Sequence, residues 1–332
     1  MAPLAERVSE RAVAIVQQGD AIVRPSKIPR SLRFPLLSLL SLTLSSMLYS
    51  FTAGYTSDLA RVSRSLEQWW QVSALLIWRI FELGLGWYGN YDGYDLAALT
   101  LLSHGPSLYL LATFYEVRPI TVFLSLGIDI ITTYIPFRLL RPLSLAHSAS
   151  NMKHALSVPN NEILTSTSIQ IYTTILAGII YAVALYTSFA TFLPVLLATY
   201  FNNIPTIEAA HTASPISLFP LAVLLGFASK SFIFTPAVAV LPSLADAKKT
   251  AFNPATSSFW EHLEYNFWRF SRKTKVVFQR TVTLMLVSGL NTFIQALFTI
   301  EGVETKGAAG FSMVWTIASG IVGAALGVVS AA

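Results

Sequence analysis

Eight stretches of about 20 mostly apolar residues recur along this chain, each long enough to cross the hydrocarbon core of a bilayer as a helix. In lipid the backbone amides and carbonyls must be satisfied within the protein, so a stretch of this length predicts a helix. We therefore predict an all-α fold, a polytopic transmembrane helix bundle of about eight spans. The predicted spans are Phe34–Ala53, Trp69–Tyr88, Leu96–Tyr115, Arg118–Leu140, Ser168–Thr191, Ile216–Leu241, Thr281–Ile300 and Ala308–Ser330.

The charge content supports a membrane protein over a soluble one. The 332 residues are 54% hydrophobic and 12% charged, whereas soluble domains carry about 25% charged residues. The net charge of +5 could indicate nucleic acid, but no nucleic-acid-binding motif accompanies the basic residues. They are concentrated outside the spans, which is typical of segments that face anionic lipid. We therefore predict the lipid bilayer as a partner and no nucleic acid.

The positions of the basic residues also predict the orientation. Met1–Arg33 and the loop at Pro242–Arg280 hold most of the Lys and Arg residues, so both are expected on the cytoplasmic side, together with the two ends of the chain. The predicted organisation is a basic segment at 1–33 and a membrane domain at 34–332. Because no signal-peptide core precedes the first span, an internal membrane such as the endoplasmic reticulum is the expected location.

The loop at 242–280 contains an amphipathic pattern. Aromatic residues recur at helical spacing between Phe259 and Phe278, and basic residues lie beside them. This combination is typical of a helix in the headgroup plane, although a helix that packs under the bundle or binds a partner would look the same. The predicted membrane-interface residues are Trp260, Phe267, Phe270, Arg269, Arg272 and Lys273.

Ionisable residues within the predicted spans are the candidate site residues, because each central charge costs roughly 2.5–3.5 kcal/mol on insertion scales. Arg79 and Glu82 are three residues apart on one helix and can neutralise each other. Asp129 and Lys230 are expected at similar depth, which predicts an ion pair that either holds two helices together or forms a proton- or ion-coupled site. The candidates are Arg79, Glu82, His104, Asp129 and Lys230.

Two patterns indicate how the helices are related. The stretch Gly105–Ala146 resembles Thr191–Asp246 in the order of its prolines, which predicts a parallel repeat of a two-helix hairpin. Small residues recur at helical spacing in the first and last spans, which favours close helix packing inside the bundle, or a homodimer or another membrane-protein partner. These small residues are Ser38, Ser41 and Ser45, then Ser319, Gly323 and Gly327.

No enzyme signature is present in the sequence. The chain has no cysteine, and its loop histidines lack metal-ligand spacing, so we expect no metal and no cofactor. The most consistent interpretation is a non-enzymatic protein that organises membrane through lipid and protein contacts. A transporter or lipid-moving protein that uses the charges within the spans is the alternative, and a membrane-embedded enzyme with dispersed residues is a second alternative.

Overall fold

The computed structural model describes residues 29–148, 160–241, 260 and 271–331. Over these residues the fold is all-α, which confirms the predicted fold class. In chain order the helices are α1 (Arg30–Thr52), α2 (Ser57–Val62), α3 (Trp69–Tyr88), α4 (Gly93–Phe114), α5 (Pro119–Leu140), α6 (Leu145–Ser148), α7 (Asn161–Thr165), α8 (Thr167–Ala190), α9 (Leu193–Tyr200), α10 (Glu208–His211), α11 (Pro215–Val238), α12 (Arg272–Thr299) and α13 (Thr305–Ala331).

Seven of the helices in the described part are long and apolar enough to cross a membrane, namely α1, α4, α5, α8, α11, α12 and α13. The remaining predicted span coincides with α3, a helix of 20 residues that carries Arg79 and Glu82. One boundary prediction is wrong, because α12 begins at Arg272 and not at Thr281. The side chain of Ser271 accepts a hydrogen bond from the amide of Thr274, and this N-cap starts the helix within the basic segment.

Helix α4 lies at the centre of the bundle. Of its most apolar 18-residue window, 78% is buried, compared with 11% for α1, which is peripheral. The helix begins at an N-cap, since the Asp92 carboxylate accepts a hydrogen bond from the amide of Asp95 at 2.9 Å. It packs against α5, α11 and α12 and so brings side chains from both halves of the chain together.

Small residues allow the closest helix contacts. At the crossing of α8 and α11, a Cβ on Gly226 would lie 2.7 Å from the amide nitrogen of Gly178, a distance that a side chain cannot adopt. Between α12 and α13, a Cβ on Gly323 would lie 2.7 Å from Cβ of Thr281. The small residues of the last span therefore pack inside the bundle, while a homodimer stays a prediction.

The α12–α13 turn ties the two halves of the chain together at one end of the bundle. The amide of Arg64 donates to the carbonyl of Thr299 at 2.9 Å, and the amide of Glu301 donates to the carbonyl of Val62 at 3.0 Å. On its other side, the amide of Asn202 donates to the carbonyl of Gly302 at 2.9 Å. We call this end the Ser63 end and the opposite end, where α4 begins, the Asp92 end.

The two stretches of the predicted repeat fold alike only in their second helices. Both α5 and α11 begin with proline, at Pro119 and Pro215, and both contain a proline near the end, at Pro136 and Pro236. Their first arms differ, because Leu110–Tyr115 closes the 22-residue α4, whereas the matching segment forms the eight-residue α9.

Candidate functional site

Four of the five candidate residues lie together in the interior of the bundle, and we call them the interior charge cluster. The ring of His104 on α4 lies between two carboxylates: Nδ1 is 3.0 Å from Oδ2 of Asp129 on α5, and Nε2 is 3.6 Å from Oε1 of Glu82 on α3. Arg79 pairs with Glu82 one turn away at 3.5 Å, as its spacing predicted. The four side chains are only 10% to 18% exposed.

Hydroxyl groups complete the cluster. Arg79 Nη2 donates to Oγ1 of Thr133 at 2.7 Å and to Oγ1 of Thr132 at 3.3 Å. The Tyr49 hydroxyl of α1 donates to Oδ1 of Asp129 at 3.3 Å. Groups on α1, α3, α4 and α5 therefore share one polar network. Removing one partner from such a network leaves a buried charge without a partner, which is costly. The network therefore connects the helices strongly.

A polar cavity of about 200 Å³ borders the cluster. It extends from His104 and Asp129 to Ser63, and so it reaches the Ser63 end of the bundle. A water molecule takes about 30 Å³ of liquid volume, so the cavity has room for several. The buried Nε2 of His104 has no hydrogen-bond partner among the described residues. The residues that line the cavity are Tyr49, Leu59, Val62, Ser63, His104, Ser107, Leu108, Leu111, Asp129, Gln295 and Thr299.

The fifth candidate, Lys230, lies elsewhere, so the predicted Asp129–Lys230 ion pair is wrong. Lys230 donates to Oε1 of Gln170 at 3.4 Å and lies over the ring of Phe227, with Nζ 4.8 Å from the centroid. Gln170 is in the first turn of α8, and α8 begins at the Asp92 end. The contact therefore lies near that end. Asp129 is instead satisfied by His104 and Tyr49.

A second charged cluster closes the Asp92 end. The Asp92 carboxylate lies 2.8 Å from Nδ1 of His147 and also accepts hydrogen bonds from the amides of Asp95 and Ser144 at 2.9 Å. Burial alone would raise the pKa of Asp92, but the hydrogen bonds and the nearby imidazole outweigh it and hold the pKa well below its usual range. Arg141 caps the C-terminal carbonyls of α3, donating to Trp87 at 2.7 Å.

The same end contains a buried ion pair between the two halves of the chain. Arg280 on α12 contacts both carboxylate oxygens of Asp95, at 2.6 and 3.0 Å, and Asp95 is fully buried. Arg280 also donates to the carbonyl of Phe232 at 2.7 Å. That carbonyl lacks its usual helical donor because residue 236 is proline, which has no N–H. The missing amide donor lies next to the π-helical turn Lys230–Phe234 in α11.

The Asp92 end was missed as a site because its residues lie at predicted span boundaries and in loops. The available signal was the pattern Asp92-Gly-Tyr-Asp95 before an apolar run, which is typical of a helix start. Ligand atoms of Asp92, Asp95 and His147 lie within 4.8 Å of one another, as a metal site requires. However, Arg280 occupies both oxygens of Asp95, and the amides and His147 occupy those of Asp92, so the donor set is already satisfied.

The predicted membrane-interface residues fall in three places. Trp260 is exposed, and Arg272 and Lys273 lie in the first turn of α12 and not in a loop. The other three, Phe267, Phe270 and Arg269, are outside the described residues. The interfacial helix therefore stays a prediction.

Over the described residues the fold defines the class of protein, an all-α bundle that contains seven helices long and apolar enough to cross a membrane. Residues 166–329, just under half of the chain, match the model of one family, the Bouquet formation protein 3 C-terminal domain. The matched segment contains α8 to α13, whereas the interior charge cluster lies in the unmatched half. Comparison with curated proteins and with solved structures gives no match.

Proposed function

We propose that this chain is a non-enzymatic, multi-pass membrane protein that acts as a scaffold in bouquet formation. The observation that carries the proposal is the match of residues 166–329 to a family named for that process. The matched segment includes four of the seven membrane-length helices in the described part, namely α8, α11, α12 and α13. An internal membrane, either the endoplasmic reticulum or the nuclear envelope that is continuous with it, is the proposed location. With α3 as an eighth span, both ends of the chain are cytoplasmic.

The paired charges support a scaffold over a transporter. The polar cavity reaches the Ser63 end. At the Asp92 end the charged groups are held by Asp92–His147, Asp95–Arg280 and the Arg141 contacts, which close the bundle there. Arranged in this way, the charges hold helices together, since separating any pair would leave a buried charge.

The proposal is tested by replacing the gene in the source organism and scoring bouquet formation. Loss of the gene should impair the process, and the wild-type chain should restore it. Gly226→Leu should not restore it, because the new side chain meets the backbone of α8 at Thr174 and Gly178. The matched control is Phe227→Leu one position along, where the side chain is 56% exposed on the outer surface.

Protein abundance and membrane location must be measured for both variants. Normal bouquet formation without the gene would overturn the proposal. Full restoration of bouquet formation by a Gly226→Leu chain that is no longer located in the membrane would also overturn the proposal.

Transport is the second candidate function, because the polar cavity reaches from one end to charges midway along α4 and α5. The purified chain in sealed vesicles should move neither ions nor lipids if it is a scaffold. Flux of an ion or lipid above that of protein-free vesicles, abolished by Asp129→Asn, would favour transport instead.

A further inference from the structure

We propose that a polar pocket at the Ser63 end of the bundle binds a phosphoethanolamine group, which carries a primary ammonium group beside a phosphate. The pocket lies outside the interior charge cluster and has a volume of about 310 Å³. Ligand pockets commonly measure about 300–1,000 Å³, so this volume suits a small polar group. The proposal does not depend on the role in bouquet formation. Four segments of the chain line the pocket and contribute Arg61, Val62, Tyr115, Glu116, Asn203, Pro205 and Glu301.

Backbone contacts hold the walls of the pocket in place. The amide of Glu301 donates to the carbonyl of Val62 at 3.0 Å, and the amide of Val117 donates to the carbonyl of Leu111 at 3.2 Å, which fixes the turn after α4. In that turn Glu116 has a φ of +53°, whereas the other non-glycine residues with positive φ in the described part are asparagines, which tolerate it better. Backbone strain of this kind is concentrated at ligand sites, so the turn is a candidate wall of a binding site.

Opposite charges line the pocket without pairing with one another. Arg61 comes from α2, Glu116 from the turn between α4 and α5, and Glu301 from the turn between α12 and α13. None of these three side chains forms an ion pair or a hydrogen bond with another residue that the structure describes. All three are exposed, so a ligand can reach them. A ligand that carries both charges can bridge them, with its phosphate at the guanidinium and its ammonium group at the carboxylates.

The charge balance supports an ammonium group at the carboxylates. Two carboxylates and one guanidinium sum to −1, and the pocket borders the C-terminus of α4, the negative end of the helix dipole. Tyr115 is the C-cap residue of this helix, and its buried hydroxyl has no hydrogen-bond partner among the described residues. An ammonium group has three donors, which suit Glu116, Glu301 and the amide oxygen of Asn203. A simple cation would satisfy these groups but would leave Arg61 without a partner.

The wall favours a primary ammonium group over a quaternary one. Quaternary ammonium groups are recognised by aromatic cages, and Tyr115 is the one aromatic residue among the described residues that line the pocket. A primary ammonium group donates hydrogen bonds to carboxylates, whereas the trimethylated group of choline has no N–H to donate. Two sources carry the proposed group: the headgroup of phosphatidylethanolamine in the surrounding bilayer, and a soluble phosphoethanolamine ester.

The test is isothermal titration calorimetry on the purified full chain in detergent. The probes are glycerophosphoethanolamine and short-chain phosphatidylethanolamine, each compared with the choline compound that is otherwise identical. The ethanolamine compounds should bind roughly tenfold more tightly, because the choline compounds lose the hydrogen bonds to charged groups. Binding of both ethanolamine compounds would show that the polar group is sufficient. Binding of the phospholipid alone would identify a headgroup whose acyl chains also contact the protein.

Three variants test the residues that contact the ligand. Glu116→Gln and Glu301→Gln should each weaken binding roughly tenfold, because each removes a charged acceptor. Arg61→Gln should also weaken binding, since the phosphate loses its partner. A ligand with an ammonium group alone, such as a basic side chain of another protein, would instead bind Arg61→Gln more tightly. Glu304→Gln is the matched control, because Glu304 is exposed in the same turn as Glu301 but does not line the pocket.

Absence of binding for both ethanolamine compounds, or equal binding of the ethanolamine and choline compounds, would overturn the proposal. Unchanged binding in Glu116→Gln and Glu301→Gln, or tighter binding to Arg61→Gln, would also overturn it. The Glu304→Gln control should bind the ethanolamine compounds like the wild type. A loss in this control equal to that in Glu301→Gln would show that the surface charge, and not the pocket, attracts the ligand.

Discussion

Replacement of Arg280 by methionine should strongly destabilise the bundle. The change removes the two contacts to Asp95, at 2.6 and 3.0 Å, and the hydrogen bond to the carbonyl of Phe232 at 2.7 Å. Breaking a buried ion pair by removing one partner costs about 3–5 kcal/mol. An unsatisfied buried carbonyl adds about 1–3 kcal/mol. The carbonyl has no donor at its usual helical position four residues on, because Pro236 lacks an N–H.

The assay is reversible unfolding of the purified chain in detergent, followed by circular dichroism. Arg280→Met should lower the free energy of unfolding by about 4 kcal/mol or more. Arg280→Lys should recover only part of the loss, because one ammonium group cannot reproduce the paired contacts of the guanidinium. Asp95→Asn should cost less than Arg280→Met, since Arg280 still reaches the carbonyl of Phe232.

The matched control is Arg118→Gln, which breaks another Arg–Asp pair, this time between the N-cap residue of α5 and Asp58 of α2. Arg118 is 57% exposed, and exposed pairs contribute little to stability. This variant should unfold like the wild type. Equal effects of Arg280→Met and Arg118→Gln would refute the argument from burial.

Three further predictions concern acid stability, helix contact and Lys230. Since the pKa of folded Asp92 is held below its ordinary value, its stabilising contribution is present above about pH 4 and is lost as the pH falls through the folded pKa; Asp92→Asn should remove that part of the acid dependence of unfolding. Gly323→Val should lower the melting temperature because a Cβ there meets Thr281, whereas Gly127→Ala should not, because nothing lies within 4 Å of a Cβ at Gly127. Lys230→Met should keep or raise the melting temperature, because Lys230 is 7% exposed and its polar contact is an uncharged amide.

How much of the site the sequence could predict depended on the range of each contact. The Arg79–Glu82 pair follows from a spacing of three residues on one helix, so it could be predicted. The contact between His104 and Asp129 depends on how α4 and α5 are rotated about their axes, which the sequence does not specify. Both residues were candidates, but their pairing was missed.

The position of Lys230 shows why depth alone was a poor guide. We placed it at the depth of Asp129 because each residue lies about midway along its predicted span, and the predicted repeat makes the two spans equivalent. In the structure its side chain extends to Gln170 in the first turn of α8, towards the Asp92 end. A long flexible side chain reaches several ångströms along its helix, so residue number does not fix the depth of its charge.

Helix existence was predictable because an apolar stretch of about 20 residues constrains the backbone strongly. The ends of the helices were less predictable than their existence, and the error at the start of α12 affected the choice of candidate residues. Placing Arg280 in a loop removed it from the candidate residues, although it forms the buried pair with Asp95. The same uncertainty assigned Asp92 to a short loop, although its carboxylate caps α4.

The most direct test of a multi-pass bundle with cytoplasmic ends is glycosylation mapping in endoplasmic reticulum membranes. Thr212→Asn creates an acceptor that ends at Ser214, between α10 and α11 on the side predicted to face the lumen. Lys153→Thr creates one that begins at Asn151, on the side predicted to face the cytoplasm. The Thr212→Asn variant should gain a glycan and the Lys153→Thr variant should not. Glycosylation of the Lys153→Thr variant and not of the Thr212→Asn variant would contradict this topology.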